Sequence, residues 1–281
     1  MLTPLLGSSQ GARKQQQDRA VHDAAFKLGG GGAEGEVVLL AVLDGHGENG
    51  AKVAEYAKDA LLTLLGGTVT LKGLEETPAA VLGAVFEKLQ SMLQEESGID
   101  LYMSGTTLSL VIVHGKTLYA ANVGDSRIVL GRKRSANDEG ESAVAGSAGG
   151  SNDTLSSNAY KTVLLSVYVV LLLHVHTKVM PTCRDHSWAD PEEVARATAA
   201  GGRVEAEVRD GPLRLYKGTM PYPGLAMSRS LGDDVAHRVG ASAEPYVTVH
   251  DLTDADEFVI LASDGLWDTI TSKGAVKMVS K

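Results

Sequence analysis

Cysteine and basic residues are both scarce in this chain of 281 residues. Cys183 is the single cysteine, which excludes an internal disulfide and fits a reducing compartment such as the cytoplasm or nucleus. Lysine and arginine total 26 against 35 aspartates and glutamates, which gives a net charge of −9. Proteins that bind nucleic acid usually carry a basic face, so no nucleic-acid partner is expected.

Long hydrophobic segments are also missing. The first residues, Met1–Leu6, lack the basic and apolar regions of a secretory signal, and Leu2 excludes the Met-Gly start that myristoylation requires. One apolar run, Val163–Val175, is shorter than the roughly 20 residues of a spanning helix. Because this run is rich in valine, it predicts a buried strand or a poorly ordered insert, and no membrane partner is expected.

The remaining pattern predicts a single domain over residues 1–281 with strands and helices intermixed. Apolar, β-branched runs predict strands at Val37–Leu43, Thr106–Val113, Lys116–Asn122, Arg127–Leu130, Tyr246–His250 and Phe258–Ala262. Capping residues predict helices after Asn49, at Thr77-Pro78, and at Asp190-Pro191, the last with a capping-box glutamate. Arg134–Asn158 is rich in Ser, Gly, Ala and Asn, and this composition predicts a low-complexity surface insertion.

Three apolar runs each lead into an aspartate beside a glycine. The pairs are Asp44-Gly45, Gly124-Asp125 and Asp264-Gly265. If these strand ends lie side by side, their carboxylates converge, and converging carboxylates repel one another unless they share protons or a cation. Ligands that are all oxygen select a hard ion such as Mg²⁺ or Mn²⁺. The alternative is that each aspartate only begins a turn, a common role of Asp-Gly.

Other chemistries fit the sequence less well. Gly45–Gly50 matches a dinucleotide-binding G-x-G-x-x-G motif, and the strand-like segment Thr68–Leu71 supports that interpretation. Asp44, however, would place a negative charge beside the pyrophosphate. A cysteine phosphatase needs an arginine six residues after its cysteine, where this chain has Ala189.

Eight short segments, taken in order, carry a resemblance to a known family. They are Arg13–Asp18, Val42–Gly47, Ser104–Thr107, Ala121–Arg127, Arg184–His186, Ala200–Val204, Gly224–Asp233 and Leu261–Asp268. In order and spacing they resemble the metal-dependent, type-2C (PPM) protein serine/threonine phosphatases. The resemblance implies an α+β fold, a four-layer α/β/β/α sandwich of two mainly antiparallel sheets flanked by helices.

The resemblance also implies metal ligands. Asp44 would bridge two Mg²⁺ or Mn²⁺ ions, with the backbone carbonyl of Gly45 completing one site and Asp264 binding the other ion. Asp18 would hold metal-bound waters. Asp125 would join Asp264 at a third, weaker ion.

Two catalytic side chains are implied as well. Arg13 would bind the substrate phosphate through two parallel hydrogen bonds. His46 would act as the general acid, a role that contributes about 10²–10⁴-fold. The expected enzyme is a monomer that hydrolyses phosphoserine and phosphothreonine on proteins with a metal-activated water. The alternative is a structural role for each residue: Arg13 would form a surface salt bridge, and His46 would be a loop histidine that bonds to the backbone.

Two features depart from the family pattern. Gln17 stands where many relatives carry glutamate, and it supplies no charge. The chain ends at Lys281, before an Asp-Asn motif whose aspartate would bind the same ion as Asp264. Weak binding of one ion and poor activity are therefore expected of this chain. The alternative function is a catalytically inactive, phosphatase-fold binding module.

Overall fold

The computed structural model describes residues 3–7, 16–29, 36–133, 168–172, 177–209 and 211–280. The predicted insertion Arg134–Asn158 and the predicted phosphate-binding residue Arg13 lie outside the described residues. The strands before the insertion are β1 (Thr3–Gly7), β2 (Asp18–Lys27), β3 (Glu36–His46), β4 (Gly105–Thr106), β5 (Leu108–His114), β6 (Thr117–Val123) and β7 (Arg127–Lys133). Those after it are β8 (Tyr168–Leu172), β9 (Thr177–Pro181), β10 (Gly202–Ala206), β11 (Leu213–Lys217), β12 (Pro223–Leu225), β13 (Leu231–Gly232), β14 (Tyr246–Asp251) and β15 (Asp256–Ala262).

The two longest helices of the described residues have 18 residues each and lie in the first half of the chain. The helices are α1 (Gly50–Gly67), α2 (Leu71–Glu76), α3 (Pro78–Glu95), α4 (Pro191–Ala199), α5 (Asp234–His237), α6 (Asp264–Trp267) and α7 (Ser272–Val279). In the part of the chain that the structure describes, no helix has the length and hydrophobicity needed to cross a membrane.

The named strands pair antiparallel in three sheets. The largest has the order β13-β4-β3-β5-β6-β14, with β2 also paired to β3. The second has the order β1-β8-β15-β7-β9, and a small third sheet consists of β10, β11 and β12. The predicted strands Thr106–Val113 and Lys116–Asn122 form an antiparallel hairpin, since β5 and β6 pair from Leu108↔Val123 to His114↔Thr117.

The two large sheets pack face to face, and β3 contributes to the apolar core on both of its sides. Side chains alternate across a strand, so Leu39 and Leu43 pack against α1 and α3. Leu40 and Val42 pack instead against β7 and β15 of the second sheet. The outer face of that second sheet is covered by α6 and α7. This arrangement is the predicted α/β/β/α sandwich, which is confirmed.

Three local predictions are wrong. The helix predicted after Asn49 is confirmed as α1, but the Asn49 side chain makes no capping bond; its amide nitrogen donates to the Asp100 carbonyl oxygen at 3.3 Å. Thr68–Leu71 is not a strand, since α2 begins at Leu71 and Thr70 caps it. Glu193 does not complete a capping box on α4, because its carboxylate forms ion pairs with Arg196 and Arg229 instead.

The apolar run Val163–Val175 is a strand in the part that the structure describes. Tyr168–Leu172 forms β8, between β1 and β15. Residues 163–167 and 173–175 of the run lie outside the described residues.

Candidate metal centre

The register of the largest sheet places two aspartates side by side. Asp18 begins β2 and Asp44 lies near the end of β3, and the antiparallel ladder pairs these two residues directly. Asp125 follows β6, two strands from β3 in the same sheet. Asp264 follows β15 of the opposite sheet and begins α6. Elements from both sheets therefore bring four carboxylates to one end of the sandwich.

A cavity of about 220 Å³ lies at this end of the sandwich. It is lined by Gln17, Asp44, Gly45, His46, Gly47, Asp125, Met227 and Asp264. The metal ligands and the general acid predicted from the sequence thus share one cavity, apart from Asp18, which lies beside Asp44.

Burial and mutual repulsion dominate the electrostatics of the cavity. Burial raises the pKa of Asp44 to about 10, and the neighbouring carboxylates of Asp18 and Asp264 add to this rise. Burial also raises the pKa of Asp125 to about 6, with a further contribution from Asp264. Such shifts mean that ionised carboxylates are costly here unless a positive charge compensates them.

The donor set fits a hard divalent cation. Among the described residues, no three His, Cys, Asp or Glu side chains already surround one common metal position. The Asp44 carboxyl group instead forms hydrogen bonds with those of Asp18 and Asp264. Sharing protons and binding a cation are two ways to relieve the same repulsion, and both use the same oxygen atoms. All-oxygen ligands of this kind suit Mg²⁺ or Mn²⁺.

Buried hydroxyl groups hold the strand ends in place. The backbone N–H of Asp44 donates to Thr107 Oγ1 at 2.9 Å, and that hydroxyl lies 2.7 Å from Ser126 Oγ. Ser263 Oγ donates to Asp18 Oδ2 at 3.4 Å. Thr107 and Ser126 therefore join the ends of β3 and β6, so the positions of Asp44 and Asp125 depend on each other.

Gln17 and two glycines shape the loop after β3. Gln17 Nε2 donates to the Gly47 carbonyl oxygen at 3.0 Å. A Cβ atom at Gly45 would overlap the backbone of Gly50, so only glycine fits that position. The neutral Gln17 thus acts as an anchor for this loop.

His46 is held by a residue that the sequence analysis assigned no role. Its Nε2 atom lies 2.7 Å from Asp233 Oδ2. Burial lowers the pKa of His46, but the Asp233 carboxylate outweighs this and raises the pKa above its ordinary value. Asp233 ends the segment Gly224–Asp233, which was singled out as a motif, but nothing in the sequence pointed to a contact across 187 positions.

Arg127, two residues after Asp125, and Trp267, three residues after Asp264, pack against each other. The Arg127 guanidinium donates to Asp185 at 2.9 Å. The same group lies 5.3 Å from the centre of the Trp267 ring. Trp267 is buried among the side chains between α6, α7 and the second sheet.

The amino-acid sequence matches one protein family over most of its length. The family model for protein phosphatase 2C matches residues 5–142 and 169–281. "Probable protein phosphatase 2C 61" of Arabidopsis thaliana is 30% identical over 278 residues, covering 98% of this chain and 72% of the relative. "Probable protein phosphatase 2C 64" of Oryza sativa subsp. japonica is 31% identical over 264 residues. This second match covers 92% of this chain and only 53% of the relative.

Solved structures agree with the fold. The serine-threonine phosphatase 2C from Toxoplasma gondii superimposes with a TM-score of 0.70 at 19% identity, covering 98% of this chain and 82% of that one. The serine/threonine phosphatase Stp1 from Staphylococcus aureus gives a TM-score of 0.54 at 17% identity, covering 100% and 83%. At such identities the likeness concerns the fold alone. The family match and the relative at 30% identity go further, and the chain belongs to the protein phosphatase 2C family of protein serine/threonine phosphatases.

Proposed function

We propose that this chain hydrolyses phosphoserine and phosphothreonine on proteins in a reaction that depends on Mg²⁺ or Mn²⁺. The observation that supports this most directly is the convergence of Asp44, Asp125 and Asp264 in one cavity with His46. A buried group of carboxylates is costly without a cation, so a site of this kind is expected to bind one. The phosphate group of a substrate is an anion that the same cation would attract.

The proposed ligands follow from their positions. Asp44 would be the central ligand, because it lies between Asp18 and Asp264 and interacts with both. The backbone carbonyl of Gly45 and the Asp264 carboxylate would supply further oxygen ligands, and Asp18 would hold metal-bound water. Asp264 lies close enough to Asp125 to help raise the pKa of that carboxyl group, which suits a third, weaker ion. When bound, such cations lower the pKa of water and neutralise phosphate charge.

Two side chains are proposed to act on the substrate itself. Arg13 binds the phosphate group, since a guanidinium matches two phosphate oxygens at once. His46 protonates the departing seryl or threonyl oxygen, and it lines the cavity beside the ligands. A seryl alkoxide is a poor leaving group, so this proton is needed for turnover.

We further propose that the chain acts as a monomer on phosphoproteins and forms one domain over residues 1–281. Its compartment is proposed to be the cytoplasm or the nucleus, since Cys183 is a free thiol of the kind that reducing compartments maintain.

The test is turnover of a phosphoserine peptide with and without MnCl₂, using Asp44→Asn and the matched control Glu48→Gln. Glu48 is an exposed carboxylate four residues away. Asp44→Asn is expected to lower turnover by about 100-fold or more, because metal ions supply several kcal/mol of transition-state stabilisation. Glu48→Gln is expected to keep the activity of the unchanged protein.

Calorimetric titration with Mn²⁺ separates the alternatives. Mn²⁺ binding that Asp44→Asn abolishes, combined with no turnover of any phosphopeptide, would assign the chain as a metal-holding binding module. Absence of both Mn²⁺ binding and turnover would refute the proposed function. Heat protection by NAD instead of Mn²⁺ would revive the dinucleotide interpretation of Gly45–Gly50.

A further inference from the structure

We propose that Tyr102, Met103 and Tyr222, which lie beside the cavity of the candidate metal centre, form a binding site for an apolar or aromatic residue of the phosphoprotein substrate. These three residues are called the apolar rim. The substrate residue that binds there lies within three positions of the phosphoserine or phosphothreonine. This role rests on the function proposed above, because the phosphate of the substrate must enter the cavity.

Met103 lies directly beside the cavity. Gly47 lines the cavity, and a Cβ atom at Gly47 would lie 2.2 Å from the Met103 carbonyl oxygen, so the backbone of Met103 packs against the loop after β3. Met103 is nevertheless 47% exposed, and Tyr102 is 43% exposed. Among the large apolar residues that are exposed in the described part of the chain, these are the only two that are adjacent in sequence.

Tyr222 extends the apolar rim from a second segment of the chain. Its ring centre lies 6.2 Å from that of Tyr102, with the two planes tilted by 44°, a spacing at which aromatic rings attract each other. Tyr222 ends the turn between β11 and β12, and its carbonyl oxygen accepts from the Lys217 N–H at 2.8 Å. The chain then runs through β12 to Met227, which lines the cavity. The ring contact therefore joins two segments that both lead to the cavity.

The loop that carries Tyr102 is held in place by the surrounding structure. The Tyr102 N–H donates to Asp100 Oδ1 at 2.9 Å, and the Tyr102 carbonyl oxygen accepts from the Val235 N–H at 3.3 Å. Ser104 Oγ accepts from the Asn49 N–H at 3.0 Å. Because the loop is fixed on both sides of the exposed pair, a ligand that binds there has little backbone to order.

The position of the apolar rim determines what it can bind. A phosphate in the cavity places its serine at the opening, and an extended peptide advances about 3.3–3.6 Å per residue. The residues on either side of the phosphoserine therefore pass over the surface that borders the cavity. Covering exposed apolar surface is favourable, and none of the three rim residues carries a charge at neutral pH. An apolar side chain of the substrate thus binds here better than a polar one.

Single exposed hydrophobic residues are common on protein surfaces and need no explanation. The apolar rim differs because two tyrosine rings from separate segments are in contact and a methionine lies next to one of them. This group also lies beside a cavity that is lined by polar and charged residues. Apolar surface next to a polar site is what a peptide with one apolar and one phosphorylated residue would match.

The kinetic test uses phosphoserine peptides assayed with MnCl₂. Phenylalanine replaces asparagine at one position at a time, from three residues before the phosphoserine to three residues after it. At one or more of these positions, phenylalanine is expected to raise kcat/KM by about 5- to 30-fold. The change is expected in KM rather than kcat, because the rim contacts the substrate and the transition state alike. Equal kcat/KM values for the two residues at every position would overturn the proposal.

Variants of the rim show where the preference arises. Tyr102→Ser is expected to reduce the preference for phenylalanine to less than about threefold, whereas Tyr102→Phe keeps the ring and should retain the preference. Met103→Ser is expected to reduce it in part, and this second variant decides the matter if Tyr102→Ser lowers the urea midpoint. A preference that persists unchanged in both serine variants would contradict the assignment.

Tyr246→Ser is the matched control. Tyr246 is 42% exposed, but it begins β14, at the opposite edge of the largest sheet from β13 and β4. This variant is expected to keep the full preference for phenylalanine. An equal loss of preference in Tyr246→Ser and Tyr102→Ser would show that the rim is not the binding site.

Two further measurements separate the apolar rim from the proposed function. p-Nitrophenyl phosphate has no peptide that could reach the rim, so its turnover by the unchanged protein tests hydrolysis alone. A phosphoserine peptide with a difluoromethylene group in place of the ester oxygen is not hydrolysed, and its Kd with Mn²⁺ present can be measured by fluorescence anisotropy even if the chain is inactive. The phenylalanine form is expected to bind about 5- to 30-fold tighter than the asparagine form. Equal Kd values, or no binding of either peptide by protein that hydrolyses p-nitrophenyl phosphate, would refute the role of the rim and leave the proposed function standing.

Discussion

The carboxylate of Glu193 offers the sharpest test of how α4 is held against the segment between β12 and β13. Its side chain is only 4% exposed, and it accepts from Arg229 Nη2 at 2.7 Å and from Arg196 Nη2 at 2.7 Å. Burial raises the pKa of Glu193, but the two guanidinium groups outweigh it and hold the pKa well below its ordinary value. The perturbation is Glu193→Gln, which keeps the shape and removes the charge.

The expected cost is about 3 kcal/mol of unfolding free energy, the lower end of the range for breaking a buried ion pair. Two features of the structure explain why the cost should lie at the lower end of this range. Arg196 also donates to the Gly240 and Ser228 carbonyl oxygens, and these bonds remain in the variant. The arginine side chains are 33% and 19% exposed, so water partly replaces the lost carboxylate.

The assay is urea unfolding followed by tryptophan fluorescence, with Glu192→Gln as the control. Glu192 is exposed on the same helix turn, and its replacement should cost less than about 1 kcal/mol. Because the folded-state pKa of Glu193 is depressed, its stabilising effect is complete above the unfolded-state pKa and declines as pH falls. The difference between the unchanged protein and Glu193→Gln should therefore shrink below about pH 4. Equal midpoints at pH 7 for Glu193→Gln and Glu192→Gln would refute this reasoning.

Three further predictions concern packing, the cavity support and metal binding. Gly131→Ala is expected to cost about 1–3 kcal/mol, because the new methyl group would lie 2.5 Å from the Phe258 ring; Phe258→Leu should recover part of this loss, and additive costs in the double variant would contradict the steric cause. Thr107→Val is expected to cost about 1–3 kcal/mol, because it removes an acceptor for the Asp44 N–H and the partner of Ser126; an unchanged urea midpoint would show that neither bond matters. Adding Mn²⁺ at 100 times its Kd to protein treated with EDTA is expected to stabilise the fold by about 2.7 kcal/mol, and a thermal midpoint that does not move would contradict metal binding to the folded state.

The layers of the fold were predictable because the strands that form them are long and apolar. Val37–Leu43 and Phe258–Ala262 lie inside β3 and β15, where both faces of each strand are buried and hydrophobicity alone marks the element. The aspartates at their ends could be placed together for the same reason, since a buried strand fixes its terminal side chain.

The contacts that the sequence pattern does not reveal depend on short elements and distant partners. β4 and β13 are two residues long, too short for any periodicity, yet they carry Asp233 to His46. Asn49 immediately precedes a helix and is a residue type that commonly caps one, but its side-chain amide donates to the Asp100 carbonyl oxygen. Both contacts are tertiary hydrogen bonds between residues far apart in the chain, and local pattern contains no information about such partners.

The burial of β3 on both faces also determines how the cavity can be lost. Ala41, Val42 and Leu43 have no exposed surface, and their neighbours β2 and β5 flank them on either side. No small fluctuation can expose this stretch, so its amide protons should exchange with solvent only when the whole domain opens. Asp44 follows this stretch directly, so its backbone position should persist until the domain opens as a whole.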